Sequence, residues 1–248
     1  MTNLKKASLL NKKISAIIPA RGGSKGIPRK NIKFLKDHPL LAYTIAACKM
    51  SEYIDRVIVS TEDQEIASIA LKYGAEVPFI RPEELSSDEA RDAGFLKHFF
   101  DNIDVSEVAL MRPTSPLRKP EIIDQTIKIF FEEGKSFSSL RTVHEMSGSP
   151  YKVFKIVDNK CQGFFEDFEG IKKYSNLPRQ TFPTAYEANG YIDIVRKEVV
   201  LMGETFGDKI FACEVEKIVD IDSQFDFDIA SFQIEKEKHI LLEYLGEF

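Results

Sequence analysis

Apolar residues in this chain come in short runs that alternate between two spacings. Ile14 to Pro19 is a largely apolar run that ends in a glycine-rich turn, and Pro39 to Cys48 then repeats apolar residues at helical spacing. The alternation continues. Arg56 to Ser60 reads as a strand, Asp63 to Tyr73 as a helix closed by Gly74, Val77 to Ile80 as a strand and Asp88 to Asn102 as a helix. Val105 to Met111 predicts another strand, and Pro120 to Glu133 another helix stopped by Gly134.

Strands that alternate with helices imply right-handed βαβ crossovers and a mainly parallel, Rossmann-like sheet covered on both faces. Ligands of such sheets bind beyond the carboxyl ends of the strands. From Ser136 to Asp193 the rhythm breaks into β-prone stretches, Ser138 to Val143 and Tyr151 to Val157, among Gly, Pro, Asn and aromatics. This predicts an inserted β-rich lobe over 136–193. The first pattern then returns, with strands over Ile210 to Val215 and Ile218 to Ile221 and a helix from near Phe225 to about Tyr244. No internal repeat or flexible linker divides residues 1–248, so one domain is expected.

Composition narrows the class. Of 248 residues, 43% are apolar and 29% charged, with 13 Gly and 11 Pro, which excludes collagen-like and low-complexity chains. A net charge of −5 gives no overall attraction to nucleic acid or to anionic membranes, so any bound anion must meet a local basic site. Three cysteines, Cys48, Cys161 and Cys213, are widely spaced without a CxxC, which fits a reducing compartment and no structural zinc. The first twenty residues hold lysines around a two-leucine patch and no signal-peptide run. Nothing later reaches the ~20 apolar residues needed to span a bilayer. A cytoplasmic protein is expected.

The local basic site follows the first strand. In the segment from Pro19 to Asn31, glycines 22, 23 and 26 let backbone N–H groups turn toward a ligand, and Arg21, Lys25, Arg29 and Lys30 supply cations. This is the composition of a polyphosphate cradle, with a solvated basic turn as the alternative. It lacks the G-x-x-x-x-G-K-[ST] of a P-loop and the G-x-G-x-x-G of NAD sites. Asp220 and Asp222, one residue apart, would share a face on an extended strand and suit Mg²⁺; before a helix the same pair also reads as a solvated, capped terminus. Asp226 and Asp228 belong to the first turn of the last helix, a structural role before any support of a metal. Arg141, Arg179 and Gln180 are candidates for a ligand carboxylate, because a guanidinium offers a bidentate fork, and His144 reads as a surface or structural histidine before a general base. Tyr151, Phe154, Tyr174, Phe182 and Tyr186 are aromatics for a ligand pocket, a core or a subunit interface.

The run Ile17-Ile-Pro-Ala-Arg-Gly-Gly-Ser-Lys-Gly-Ile-Pro-Arg-Lys-Asn-Ile32 resembles the nucleotide loop of the CMP-sialic acid synthetases, the acylneuraminate cytidylyltransferases. Further similarities follow in order: Val57 to Thr61, Val77 to Pro82 with Ser87-Asp88, Arg112-Pro-Thr-Ser-Pro-Leu-Arg118, Arg179-Gln180, Asn189-Gly190 and Asp220-Ile-Asp222. The resemblance implies a nucleotidyltransferase-type fold whose inserted lobe serves dimerisation. It also implies CTP and an acidic nine-carbon keto sugar as substrates, Mg²⁺ as cofactor and a homodimer. Attack of the sugar's anomeric hydroxyl on the CTP α-phosphate would release pyrophosphate. By the same resemblance, Ala20, Arg21, Gly22, Gly23, Ser24, Lys25, Asn31, Arg81 and Ser87 bind nucleotide, with Arg21, Lys25 and Lys30 catalytic. Arg112, Thr114, Ser115, Arg179, Gln180, Asn189 and Asp193 would face the sugar, and Asp220 and Asp222 the metal.

Two positions depart from the sialic acid pattern. Arg112 stands where a glutamine is usual, and Asp193 where a tyrosine borders the sugar. An added cation and an added anion either pair or recognise a differently substituted sugar, which brings in legionaminic acid and related bacterial nonulosonic acids. The alternatives are a cytidylyltransferase for another sugar acid such as Kdo, a nucleotide-binding protein without turnover, and an NAD-linked oxidoreductase.

Overall fold

The computed structural model describes residues 12–248. The reading of the first residues as free of a signal sequence falls mostly on 1–11, outside the described residues. Among the described residues no helix is long and apolar enough to cross a membrane.

In chain order the strands are β1 (Ile14–Pro19), β2 (Phe34–Leu35), β3 (His38–Pro39), β4 (Ile54–Ser60), β5 (Glu107–Leu110), β6 (Ser139–Glu145), β7 (Phe154–Val157), β8 (Lys160–Gly163), β9 (Tyr186–Arg196) and β10 (Ile210–Glu214). The helices are α1 (Leu40–Lys49), α2 (Gln64–Lys72), α3 (Asp92–Asn102), α4 (Pro120–Glu133), α5 (Lys197–Leu201), α6 (Gln224–Glu237) and α7 (Leu241–Leu245). Six strands form the central sheet in the order β10-β6-β9-β5-β1-β4. All run parallel except β9, which pairs antiparallel with both neighbours. A mainly parallel α/β sheet is thus present, as expected.

The period of two along each strand sorts its side chains onto the two faces. Ile17 of β1 packs with Ile58, Val108, Leu110 and Phe99 on one face, while Ala16 and Ile18 join Val57, Val59, Ala109 and α1 on the other. Both faces are therefore apolar, as in sheets covered by helices on each side. Leu40 to Cys48 of α1 are all fully buried, because α1 lies between the sheet and α7.

Several boundaries differ from the sequence reading. Residues 77–80 form no strand; only Glu76 bridges to Ile58, and Pro78 cannot donate to a ladder. The helix expected from Asp88 begins at Asp92, leaving Asp88 and Ala90 outside it in the cleft wall. Residues 218–221 are extended coil without a partner strand. The final helix breaks at Lys238, whose φ of 42° is left-handed. The 136–193 segment is not a separate lobe along its whole length: β6 and β9 are interior strands of the main sheet. Only the residues between them stand apart, carrying the β7–β8 hairpin. That arm has its own small core, with Tyr151 stacked on Phe182 at 4.9 Å and ringed by Phe165, Phe168 and Tyr174.

Candidate active site

Because β1, β4, β5 and β6 all end at the same edge, the loops that follow them converge there, and β9 begins there. Ala20 is fully buried and donates its N–H to Ser60 O at 3.0 Å, continuing the ladder of β1 with β4. The basic loop then leaves the sheet. Its far end is fixed by Arg29, which adopts a left-handed φ of 52° and reaches Asp63 at 2.9 Å and Glu65 at 2.7 Å. Asp63 also caps α2 by accepting from the N–H groups of Glu65 and Ile66. Hydrogen bonding to Arg29 holds the Asp63 carboxyl below its ordinary range. Inside the loop, buried Asn31 donates Nδ2–H to Arg21 O at 2.9 Å, so the asparagine supports the cradle as well as lining it.

Glycine is required at two loop positions for close approach. A Cβ on Gly22 would lie 2.6 Å from Asp63 Oδ2, and one on Gly26 would lie 2.6 Å from the Asp222 carbonyl. Gly23 has open space beside it. The Gly22 N–H does not point at the cleft; it donates to Glu62 Oε1 at 2.7 Å.

The loops enclose a cleft of about 440 Å³. Arg21, Ser24, Lys25, Lys30 and Asn31 line one side; Arg81 and Ser87 line another; Arg112, Thr114 and Asp222 complete it. Arg81 is almost wholly buried, its Nε has no hydrogen-bond partner among the described residues, and its other end reaches Glu62 at 3.4 Å. Burial lowers the Arg81 pKa. Lys30 Nζ donates to Ile221 O at 2.5 Å and lies 3.3 Å from Asp222. Arg21 and Lys25 each approach one oxygen of Asp88 at 2.8 Å.

The remaining expected residues sit elsewhere. Ser115 is fully buried and donates weakly to Asn189 O and to Asp220 Oδ1, at 3.4 and 3.3 Å. Asn189 and Asp220 line a second cavity of about 360 Å³ with His144, Glu187 and Asp226. Asp220 and Asp222 therefore do not share a face, because their segment is not a strand. Asp193 does not border the cleft; it is fully buried, held by Arg112 at 2.6 Å and Arg141 at 3.3 Å. Arg112 is gripped from its other side by Asp92 at 2.6 Å. Arg179 and Gln180 are exposed on the arm, and Arg179 contacts Met146 O at 3.2 Å. His144 is buried 3.0 Å from Glu187, a structural and not a surface position.

Four residues went unassigned in the sequence: Glu62, Asp88, Asp92 and Arg118. Arg118 is fully buried, and its five N–H groups reach the carbonyls of Arg112, Ser115, Gly190 and Tyr191 and the Thr44 hydroxyl. It ties the Arg112–Arg118 loop to β9. Burial pushes its pKa down to about 10. Arg118 and Asp88 belong to runs of the recognised pattern without a role of their own there, and Glu62 directly follows the Val57 to Thr61 run.

Comparison with known proteins agrees with this geometry. Residues 15–242 match the family model described as cytidylyltransferase. An N-acylneuraminate cytidylyltransferase of Escherichia coli is 36% identical over 222 residues, 88% of this chain, which spans about half (51%) of that protein's length. A CMP-N,N'-diacetyllegionaminic acid synthase of Legionella pneumophila is 30% identical over 239 residues, covering 93% of this chain and all of that one. In fold, the chain is similar to a CMP:2-keto-3-deoxy-manno-octonic acid synthetase solved with CTP, at a TM-score of 0.69 and 14% identity over 91% of this chain and all of that one. The sheet, the basic loop after β1 and the match across nearly the whole chain lead to one assignment: the protein belongs to the cytidylyltransferase family.

Proposed function

We propose that the protein transfers the cytidylyl group of CTP to the anomeric hydroxyl of a sialic-acid-like nonulosonic acid, releasing pyrophosphate. One observation carries the reading: Arg21, Lys25 and Lys30 converge on one side of a cleft at the carboxyl ends of β1 and β5, with Arg112 and Thr114 completing it. The sugar oxygen attacks the α-phosphorus, the bond to the β-phosphate oxygen breaks, and negative charge gathers on the departing pyrophosphate. Cations already fixed at that end lower the energy of this charge without having to reorganise. Arg81, buried with its Nε unpaired, faces the same cleft and is suited to an acceptor atom of the nucleotide.

Mg²⁺ is a cofactor the residues fit. Asp222 offers a hard, exposed carboxylate on the cleft wall, and Mg²⁺ is commonly held by one or two carboxylates together with substrate phosphates. Asp220, two residues earlier, is the second candidate, though it is turned toward Ser115. When bound, the ion would neutralise triphosphate charge. Asp222 itself orients Lys30 through their ion pair.

For the sugar, a legionaminic-type acid is favoured over N-acetylneuraminate. Arg112 is locked between Asp92 and Asp193, and Arg141 pairs with the other oxygen of Asp193, so a charge-balanced cluster of two arginines and two aspartates stands there in place of a glutamine. A homodimer is supported by the arm, which exposes Ile156, Phe164, Phe154 and Tyr186. Pairing of two arms would cover these side chains and let Arg179 and Gln180 serve the partner's sugar site.

The test is pyrophosphate release with Mg²⁺ and CTP against N-acetylneuraminate, diacetyllegionaminate, pseudaminate and Kdo. Release with a nonulosonic acid other than N-acetylneuraminate as the preferred substrate is expected. Release with Kdo alone would overturn the sugar assignment, and silence with every acid would overturn the reaction.

A further inference from the structure

The cations of the basic loop are all paired with carboxylates, but in two different ways. Arg29 is bound to Asp63, a residue only 18% exposed at its side chain and fixed as the cap of α2. That pair is part of the scaffold. Arg21 and Lys25 are bound to Asp88, which no helix or strand holds; it lies on the segment between the 3₁₀ turn Glu83–Leu85 and α3. The Asp88 carboxylate splits its two oxygens, one to each cation at 2.8 Å, and all three side chains line the cleft. A phosphate group would satisfy the same two cations in the same way.

We propose, on the reading of the cleft as a triphosphate site, that Asp88 is the displaceable internal counter-ion of the phosphate cradle. It competes with the nucleotide for Arg21 and Lys25 and re-pairs with them as pyrophosphate leaves. The chemistry of the three groups makes this feasible. Lys25 is 77% exposed and Asp88 39%, and exposed ion pairs are weak because water and salt screen them. A triphosphate brings several charges against the single charge of Asp88, so it wins the exchange. Pyrophosphate must nevertheless depart after every turnover, and a carboxylate tethered beside the cradle supplies the anion that replaces it. The segment is held at both ends: Arg81 N donates to Thr61 O at 2.9 Å, and Asp92 grips Arg112. Asp88 can therefore leave the cations without leaving the site.

The competition is measurable by titrating inorganic pyrophosphate and, separately, CTP into the wild-type protein and Asp88→Asn. The variant is expected to bind pyrophosphate about fivefold more tightly at low ionic strength, the gain shrinking at high salt. Product inhibition by pyrophosphate should strengthen by a similar factor. Glu89→Gln removes the same charge one residue away, at an exposed side chain that is in no ion pair among the described residues, and should leave both affinities unchanged. Equal or weaker binding by Asp88→Asn would overturn the proposal, and so would an equal gain with Glu89→Gln. Failure of the wild-type protein to bind either anion would instead overturn the nucleotide reading, and this proposal with it.

Discussion

The two sides of the cleft treat charge in opposite ways. On the side of the basic loop, Arg21, Lys25 and Lys30 meet Asp88 and Asp222, whose carboxylates are open to solvent. On the side built from β5, β6 and β9, Asp193 and Arg118 are fully buried, and Arg112 is held from two directions. Exposed partners can be exchanged for those of a ligand, while buried ones cannot be removed without leaving an uncompensated charge. A polyphosphate that arrives and departs in each turnover suits the first arrangement. On the proposed function, discrimination between similar sugars would draw on fixed hydrogen-bonding groups of the second kind.

The sharpest way to break this contrast is at Arg118. Arg118→Met removes the guanidinium donors to the carbonyls of Arg112, Ser115, Gly190 and Tyr191 while keeping most of the side-chain volume. Buried acceptors left unpaired cost about 1–3 kcal/mol each, so a stability loss of at least about 3 kcal/mol is expected. It should appear as a lowered urea midpoint. A midpoint equal to that of the wild type would mean that this half is not organised by its buried guanidinium.

On the exchangeable side the expected loss falls on rate alone. Lys25→Ala should lower kcat by about 100-fold, the effect of losing one donor to developing charge. The thermal midpoint should scarcely move, because Lys25 is largely exposed and its one ion pair among the described residues is with Asp88. Unaltered kinetics would remove Lys25 from the cradle, and a large drop in melting temperature would erase the contrast between the two sides.

The basic-loop side of the cleft was legible in the sequence because its information is local. A buried strand, three glycines and four cations lie between Ile14 and Lys30, and a strand end is where such sheets bind ligands. The side built from β5, β6 and β9 was less legible because its information is long-range. Arg112 and Asp193 are 81 positions apart, and nothing in the periodicity of Tyr186 to Arg196 says that this strand enters the sheet antiparallel between β5 and β6. Reading 136–193 as an insertion followed from its mixed composition, whereas its two ends are core strands. Asp220 and Asp222 were placed on one face by assuming a strand; without a neighbour to pair with, that segment turns its two carboxylates to different partners.

The smallest effect expected lies at the start of α6, just after Asp222. Asp226 Oδ2 accepts from the Ser223 hydroxyl at 2.7 Å and from the N–H groups of Ser223 and Asp222 at 2.8 and 3.2 Å, closing a capping box. These hydrogen bonds, led by that of Ser223 and joined by the charge of Lys30, hold the Asp226 carboxyl below its ordinary value. A carboxyl whose pKa is depressed by folding contributes stability above its unfolded pKa and loses it as the pH falls through the folded one. Stability should therefore decline below about pH 4, where an unfolded aspartate begins to take up protons more readily than Asp226 does. Asp226→Asn should cost about 1 kcal/mol near neutrality, as for a lost cap, and should flatten this part of the acid limb. Thermal melts of both proteins between pH 6 and pH 3 provide the check. If the two curves stay parallel to pH 3, the cap is not the ionised Asp226. The segment at Asp222 would then be held through Ile221, whose N–H donates to Thr114 O and whose carbonyl accepts from Lys30, which would move this corner of the site from the fixed group to the exchangeable one.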